Sequence, residues 1–409
     1  RLAFRGLYVP GMLALLSDGL GFLTLLFIEI GVIQELAIAA SVGVAMIVVT
    51  NLVLVPLVMS YVGISKSGIR HAENNEKAEP KLWKALSKIA SKKVAPYPIV
   101  IAIAMAVFGI YQSQSLKIGD LDAGAPELRQ DSRYNLDNAY MVSNYSTSSD
   151  VFLVMVETAK EQCNSYKVMD AIDRFMWYME NVPGVQSTVS MVTVSKLVTK
   201  GMNEGNLKWS ALSRNQTILN TSIQRAPASL LNQDCSMAPV IVYLNDHKAE
   251  TLEHAVAAVE AFKEKYDDKV DAKYFAMGIR ETEAAIAAGE LKNVPIRFQL
   301  ASGNAGIEAA TNQVIGDAQN TMLIFVYVVV FILCFATFRS IRAIACILIP
   351  LALTSILCQA LMAYLGIGVK VATLPVIALG VGIGVDYGIY IYNRLEVMLI
   401  AGKTLQEAF

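Results

Sequence analysis

The chain has 409 residues, of which 55% are hydrophobic and 17% are charged, and its formal net charge is -1. This hydrophobic share is too high for an ordinary soluble domain, so the composition indicates a membrane protein. The near-neutral charge excludes the basic balance that is typical of a nucleic-acid-binding protein. Because the chain begins with Arg1 and ends at Phe409 inside a predicted helix, we expect it to be a fragment of a longer protein.

Three apolar stretches in the first part of the chain are long enough to cross a membrane, which takes about 20 residues per helix. They are residues 9–27, which contain Asp18, residues 36–62 and residues 94–111. Between the second and the third stretch, residues 65–93 form a predicted cytoplasmic basic linker. Its apolar residues recur at helical spacing and its lysines fall on other faces: Leu82, Ala85, Leu86 and Ile89 against Lys81, Lys84, Lys88 and Lys92. This pattern predicts an amphipathic helix on the inner leaflet surface, with a solvated charged linker as the alternative.

A long polar region, residues 112–319, separates these spans from three further ones. The later spans are residues 320–338, 341–365 and 374–392, and residues 393–409 follow as a predicted cytoplasmic segment. Lys and Arg near span ends concentrate on the cytoplasmic side of a membrane. Here the basic clusters precede the first span and follow the second, fourth and sixth, which places all of them on one side. The polar region is therefore predicted to lie outside the cytoplasm.

The polar region alternates between predicted strands and predicted helices. The predicted strands are residues 151–156, 185–194, 239–244, 274–279 and 296–300, and the predicted helices are residues 166–179 and 249–262. Asn304 is the predicted N-cap of a helix that runs toward the fourth span. Repeated strand–helix–strand units favour subdomains of the split βαβ kind. The predicted fold is thus a polytopic α-helical membrane protein with an α+β domain outside the cytoplasm.

The polar region contains few residues that point to chemistry. Cys163 and Cys235 could form a disulfide in an oxidising compartment, but their separation in the sequence does not decide this. His247 and His254 lie two helical turns apart, so we expect them to be surface residues rather than metal ligands. We find no nucleotide-binding loop, no metal-ligand cluster and no nucleophile motif, and therefore expect neither an enzyme nor a bound cofactor or metal.

The sixth span carries the strongest candidate for function. Gly380, Gly384 and Gly388 recur every four residues and so line one face of a helix, where small residues allow another helix to approach closely. Asp386 lies on this helix about six residues before its predicted end. An ionised carboxylate inside a membrane costs roughly 3 kcal/mol or more, so Asp386 is predicted to carry protons. Tyr387 offers a hydroxyl beside it.

Asp18 is the second acidic residue inside a predicted span. It follows Ser17 and precedes Gly19 and Gly21, so helix packing or local polar contacts can also explain it. Asp18 is therefore kept as a candidate polar relay residue, with a purely structural role as the alternative.

Three segments resemble a known family of transporters. The stretch Gly382–Gly388, the start of the polar region at Gly119–Arg129 and Ser132–Asn135, and the stretch Ala301–Gly306 are all similar to segments of the resistance–nodulation–division (RND) superfamily. They are most similar to its branch of hopanoid and mycobacterial lipid exporters, the MMPL type. The resemblance covers essentially the whole chain in matching order.

The resemblance implies a twelve-span RND-type fold, of which this sequence carries the fifth to the tenth spans. It assigns Asp386 and Tyr387 to the proton-relay pair of the second repeat, with a partner acid on a fourth span that this sequence does not contain. It also implies that residues 112–319 are a periplasmic porter domain. The implied function is export of lipid or another hydrophobic molecule, driven by protons. The implied location is the inner membrane, as a homo-oligomer with a periplasmic adaptor as a further partner.

Three other functions remain open at this stage. One is a multidrug efflux pump, which should place aromatic-rich pockets in the polar region. The phenylalanines there are scattered along the sequence: Phe152, Phe175, Phe262, Phe275 and Phe298. The others are a sterol- or lipid-binding membrane protein that does not pump, and an accessory protein for protein translocation.

Overall fold

The computed structural model describes residues 2–63, 65, 67, 68, 70, 91 and 93–404. The chain divides into two compact units, a first unit of Arg1–Ile118 with Gln313–Phe409 and a second unit of Gly119–Asn312. The second unit falls within the polar region predicted at residues 112–319. The amphipathic helix predicted around residues 82–89 lies outside the described residues.

The first unit begins with a series of apolar helices. They are α1 (Leu2–Leu23), α2 (Gly31–Val49), α3 (Val55–Val62) and α4 (Pro96–Ser113). A π-helical turn at Thr50–Leu54 joins α2 to α3, and the Val55 amide donates to the Thr50 carbonyl. Pro56 explains this turn, because proline has no amide hydrogen to continue the regular pattern. Pro96 begins α4, where its missing amide costs nothing.

Three long helices complete the first unit after the second unit: α11 (Asn304–Phe338), α12 (Ile341–Leu365) and α13 (Leu374–Ile400). Gly366, at φ +69°, ends α12 in the left-handed conformation that glycine adopts most easily. The first nine residues of α11 belong to the second unit. At about 1.5 Å per residue, the 35 residues of α11 exceed the ~30 Å core of a bilayer, so only part of this helix can lie in the membrane.

Among the described residues, five helical segments are long and apolar enough to cross a membrane: Gly31–Val62, Pro96–Ser113, Asn304–Phe338, Ile341–Leu365 and Leu374–Ile400. A shorter apolar helical segment, Gly11–Phe27, corresponds to the first predicted span.

The second unit is built on one four-stranded antiparallel sheet. Its strands are β1 (Val151–Thr158), β2 (Val185–Val189), β3 (Met237–Leu244) and β4 (Ile296–Ser302), in the order β2-β3-β1-β4. Its helices are α5 (Arg133–Asn144), α6 (Tyr166–Glu180), α7 (Met191–Met202), α8 (Gln216–Gln224), α9 (Ala249–Tyr266) and α10 (Ile279–Ala287). Helix α6 connects β1 to β2, and α9 lies between β3 and β4. This strand order and these crossovers are the split βαβ arrangement.

The core of the second unit lies between the sheet and helices α6 and α9. Side chains of β1 alternate between buried and half-buried positions, as a strand with one covered face requires. Phe175, Phe262 and Phe298 meet there, with ring centroids 4.9 to 5.1 Å apart. These phenylalanines, scattered in the sequence, are therefore part of the packed core rather than the lining of an aromatic pocket.

The outer edge of β4 is covered by two carboxylates from the loop after α9. Asp267 Oδ1 accepts a hydrogen bond from the Phe298 amide at 2.9 Å, and Asp268 Oδ2 accepts one from the Ile296 amide at 3.0 Å. These bonds satisfy amides that an edge strand would otherwise leave without a partner.

Two predicted strands of the second unit differ from the structure. The strand predicted at residues 185–194 ends at Val189, because Ser190 caps α7 by accepting a hydrogen bond from the Val192 amide at 3.0 Å. The strand predicted at residues 274–279 is wrong. A 3-10 turn occupies Ala272–Ala276, and α10 begins at Ile279. The apolar residues of this segment pack in a small core of their own, which imitates the composition of a strand.

The side chains of Asn304 and of the two cysteines each make a specific contact. Helix α11 begins at Asn304 itself, and the Asn304 side chain bonds to the chain around β1 instead of capping the helix. Cys163 and Cys235 are joined by a disulfide, with Cα atoms 5.1 Å apart. The Cys163 amide also donates to the Cys235 carbonyl at 2.9 Å, which holds the two backbones together.

Candidate functional site

Asp18 and Asp386, the two acidic residues predicted inside spans, are neighbours in the first unit. Asp18 lies on α1 and Asp386 on α13, and the two helices pack against each other. Gly382 allows this approach, since a methyl group at its position would lie 2.9 Å from Asp18 Oδ1 and 3.7 Å from Asp18 Cα. Asp386 lies one helical turn beyond Gly382, on the same face. The two carboxyl groups are consequently close enough for the charge of one to act on the other.

In the part of the chain that the structure describes, the groups whose charge or dipole acts on Asp386 are polar or acidic, and none of them is positively charged. These groups are Asp18 and the hydroxyl of Ser17, which is itself 1% exposed. Three oxygens have no hydrogen-bond partner among the described residues: Ser17 Oγ, Asp18 Oδ1 and Asp386 Oδ1. Two half-buried carboxylates side by side repel each other, and the burial of one oxygen of each removes part of the water that would screen them. Protons are therefore the simplest means of neutralising this pair.

The glycines of α13 divide between two packing faces. A methyl group at Gly384 would lie 2.6 Å from Leu351 Cδ1, and one at Gly388 would lie 2.9 Å from Ile347 Cγ2, so these two positions face α12. At Gly380 a methyl group would meet nothing within 4 Å. Gly382, which we did not assign to packing from the sequence, is the glycine that faces Asp18.

The two tyrosines next to Asp386 lie in different places. Tyr387 is 68% exposed, so its side chain lies on the outer side of α13 rather than among the buried oxygens of the pair. Tyr390 lies one turn beyond Asp386, and its hydroxyl would be 3.1 Å from a methyl group at Gly11 of α1. Tyr390 therefore extends the contact between α1 and α13. The assignment of Tyr387 to the relay stays a prediction.

The prediction that His247 is a surface residue is wrong. His247 is buried in the second unit at 6% exposure, because its ring contacts the carboxyl group of Asp150. His254 is exposed. No signal in the sequence distinguishes the two, since the Asp150 partner lies 97 residues away.

The apolar helices of the first unit define a multi-pass helical membrane protein. Residues 19–97 match the MMPL family model. This match supports membership of the MMPL/RND superfamily, whose MMPL members are transporters. No curated protein matches the chain. The matched range contains neither Asp18 nor Asp386, so the carboxyl pair depends on the geometry described above.

Proposed function

We propose that this chain is part of an RND-type exporter that uses inward proton flow to move lipid or another hydrophobic molecule across the cell envelope. The observation that carries the proposal is the contact between Asp18 and Asp386 on two apolar helices. The family match supports the transporter class. In this proposal Asp386 and Asp18 share the proton-carrying role, and Tyr387 assists from the outer side of α13.

Protonation can act on the packing of the helices through the charge of the pair. With both carboxyl groups ionised, α1 and α13 carry like charges at a half-buried contact, which favours their separation or the entry of water. A proton on the pair removes that repulsion and favours close packing at Gly382. Two helix arrangements that differ in proton affinity are what a proton-driven cycle needs.

The energy available from the membrane potential is sufficient. One charge that crosses 100 mV releases about 2.3 kcal/mol, so two protons release about 4.6 kcal/mol. Moving a two-state equilibrium from 1:99 to 99:1 takes about 5.5 kcal/mol. Two carboxyl groups that each carry one proton per cycle therefore supply most of the free energy for a nearly complete switch.

The second unit is proposed to be the periplasmic porter domain of an inner-membrane protein. Its split βαβ topology suits such a domain, and the basic residues near the predicted span ends favour this orientation. The Cys163–Cys235 disulfide supports an oxidising compartment. A homo-oligomer and a periplasmic adaptor are part of the same proposal.

Proton-coupled transport tests the role of the pair. The full-length protein is reconstituted in liposomes, and proton entry is followed under an imposed pH gradient. We expect Asp386→Asn and Asp18→Asn each to lower the proton-entry rate by about a hundredfold, the scale of losing one proton-transferring group. Glu35→Gln is the matched control, because Glu35 is an exposed carboxylate on α2. Wild-type rates in both aspartate variants would overturn the proposal.

Cargo is tested separately by lipid mass spectrometry on the full-length protein in mild detergent, against an unrelated membrane protein. Enrichment of one lipid class would support lipid export and name the lipid for transport assays with Asp386→Asn. The absence of any enriched lipid would contradict the lipid cargo and favour a drug pump or a translocation accessory.

A further inference from the structure

The chain that follows α7 carries large apolar side chains that the core of the second unit does not bury. Helix α7 ends at Met202, and a 3-10 turn occupies Leu207–Trp209. Leu207 is 75% exposed and Trp209 is 51% exposed, and the Met202 side chain is exposed as well. Residues 200–214 are called the tip below. Exposed tryptophan and leucine side chains so close together in the sequence are typical of surfaces that bind another protein.

The tip has a fixed conformation although little of it is buried. The Gly205 amide donates a hydrogen bond to the Lys200 carbonyl at 3.0 Å, and the Trp209 amide donates one to the Asn206 carbonyl at 3.1 Å. Gly205 lies at φ +76°, a conformation that glycine adopts without strain. Local hydrogen bonds therefore hold the apolar side chains in place, so little conformational entropy is lost when a partner binds them.

Helix α5 presents a second exposed apolar surface in the same unit. Only Asn135 of its residues is buried, and Asn135 Oδ1 accepts a hydrogen bond from the Ala125 amide at 2.8 Å. Leu136 and Tyr140 lie one turn apart on the side away from Asn135, and they are 57% and 63% exposed. The adjacent Met141 is exposed as well. Leu136, Tyr140 and Met141 are called the outer face of α5 below.

The two surfaces carry opposite charges. The tip has three basic residues and one acidic residue: Lys200, Lys208 and Arg214 against Glu204. Residues 122–137, around the start of α5, have four acidic and two basic residues. Arg129 pairs with Asp131 and Arg133 pairs with Asp137, each at 2.8 Å, so Asp122 and Glu127 provide the surplus negative charge. Opposite charges of this kind steer two surfaces together and exclude wrong partners.

We propose that the tip of one copy docks on the outer face of α5 in a second copy of this chain, with Trp209 against Leu136 and Tyr140. A contact between copies covers both apolar surfaces at once, whereas another partner on either surface would leave the other one exposed. The contact joins two different surfaces, so it is heterologous and closes into a ring when the rotation between copies allows it. This contact rests on the homo-oligomer of the proposed function.

Chemical cross-linking of the full-length protein in liposomes tests the contact. Leu207→Cys and Tyr140→Cys are purified with different tags, mixed in detergent, reconstituted together and treated with a short bifunctional maleimide. We expect cross-linked pairs that carry both tags, well above the wild-type background from Cys334, Cys346 and Cys358. Each variant alone should stay at that background, because a heterologous contact does not bring a residue close to its own copy.

Matched variants separate the proposed contact from random collision. Glu283→Cys, at an exposed position of α10, replaces Tyr140→Cys as the control and should give only background. Adding Trp209→Ala to Leu207→Cys should raise the protein-to-lipid ratio needed for half cross-linking by about thirtyfold, the scale of an interface hot spot.

Trp177→Ala should leave that ratio unchanged. Trp177 is 70% exposed, but the adjacent Met176 accepts a hydrogen bond from Ser190, which precedes α7. Trp177 therefore lies near the end of α7 that is opposite the tip.

Three results would overturn the proposal. One is cross-linking at the background level while Leu207→Cys and Tyr140→Cys both react with a soluble maleimide. The second is protection of Leu207→Cys from this reagent in chains that are not cross-linked, because another part of the same chain then covers the tip. The third is an equal effect of Trp209→Ala and Trp177→Ala. Light scattering in mild detergent reports the homo-oligomer separately, and proton entry reports transport, so failure of the contact is distinguishable from failure of either.

Discussion

Each of the two units of the protein contains a site with poorly exposed carboxyl groups, and the two sites differ in what offsets the charge of those groups. The pair in the first unit, Asp18 with Asp386, has a serine hydroxyl beside it and no cation among the described groups that act on Asp386. The site in the second unit pairs the buried carboxyl group of Asp150 with the ring of His247. A group without a cation can be neutralised only by protons, so each proton changes its charge and its packing together. A group with its own cation tolerates ionisation inside a folded domain.

Removing the cation should make the site in the second unit resemble the pair in the first. In His247→Ala the buried carboxylate of Asp150 loses its partner, which costs about 3–5 kcal/mol for a buried ion pair broken on one side. We expect the free energy of unfolding of the second unit to fall by that amount in urea titrations of the full-length protein. Tryptophan fluorescence is a suitable readout, because Trp177 and Trp209 both lie in this unit.

The control for this prediction is His254→Ala, since His254 is exposed on the same helix that His247 precedes. It should change the free energy of unfolding by less than about 0.5 kcal/mol. Equal effects of the two histidine variants would show that His247 does not offset a buried charge.

The pH dependence of stability sharpens the comparison. The pKa of His247 is about 9 in the folded protein against 6.5 for an ordinary histidine, so the folded state binds this proton more tightly. The stabilisation is complete below pH 6.5 and is lost as the pH rises to 9. At about 1.36 kcal/mol per unit of pKa, the second unit should lose about 3 kcal/mol over this interval. His247→Ala should show a flatter profile in the same titration, and a slope equal to that of the wild type would contradict this account.

The close approach at Asp18 predicts opposite effects for two alanine substitutions on α13. Gly380→Ala meets open space and should raise the stability of the helix by about 1 kcal/mol, the usual gain of alanine over glycine. Gly382→Ala places a methyl group 2.9 Å from Asp18 Oδ1 and should lower stability by about 1–3 kcal/mol. Thermal unfolding of the full-length protein in detergent measures both. The same sign for both variants would mean that Gly382 does not face the carboxyl pair.

The smallest expected effect belongs to Tyr387. Because this side chain is 68% exposed, Tyr387→Phe removes a hydroxyl that lies outside the contact between Asp18 and Asp386. We expect proton entry to fall by about two- to fivefold, which is far less than in Asp18→Asn and corresponds to the loss of one weak hydrogen bond. A loss in Tyr387→Phe as large as in Asp18→Asn would place the tyrosine, rather than Asp18, as the partner of Asp386.

Periodicity in the sequence predicts much of the fold because the spacing of apolar residues reflects which face of each helix or strand is buried. The alternation at Val151–Val156 and the helical spacing at Tyr166–Met179 follow from one covered face, and both elements are present in the structure. The prediction of a strand at Tyr274 fails because apolar residues can pack in a short local core without forming a strand.

The candidate site is less predictable than the fold because it depends on which helices meet. Asp386 is visible in the sequence as a charge inside an apolar span, and Asp18 is visible for the same reason. The contact between the two residues is not visible in the sequence, because it requires α1 to pack against α13 across more than 360 intervening residues. Likewise, the burial of His247 depends on Asp150, which lies in a distant part of the sequence. Pairings of this kind are set by tertiary packing and leave no local pattern.

The carboxylates that cover the outer edge of β4 have a consequence for self-association. A second chain that added a strand there would need the Phe298 and Ile296 amides, which Asp267 and Asp268 already occupy. Its carbonyl oxygens would also approach two acidic side chains, which repel them. Strand addition is therefore blocked at this edge, much as charged residues protect other edge strands from aggregation. Copies of this protein are therefore not expected to pair through the backbone of β4.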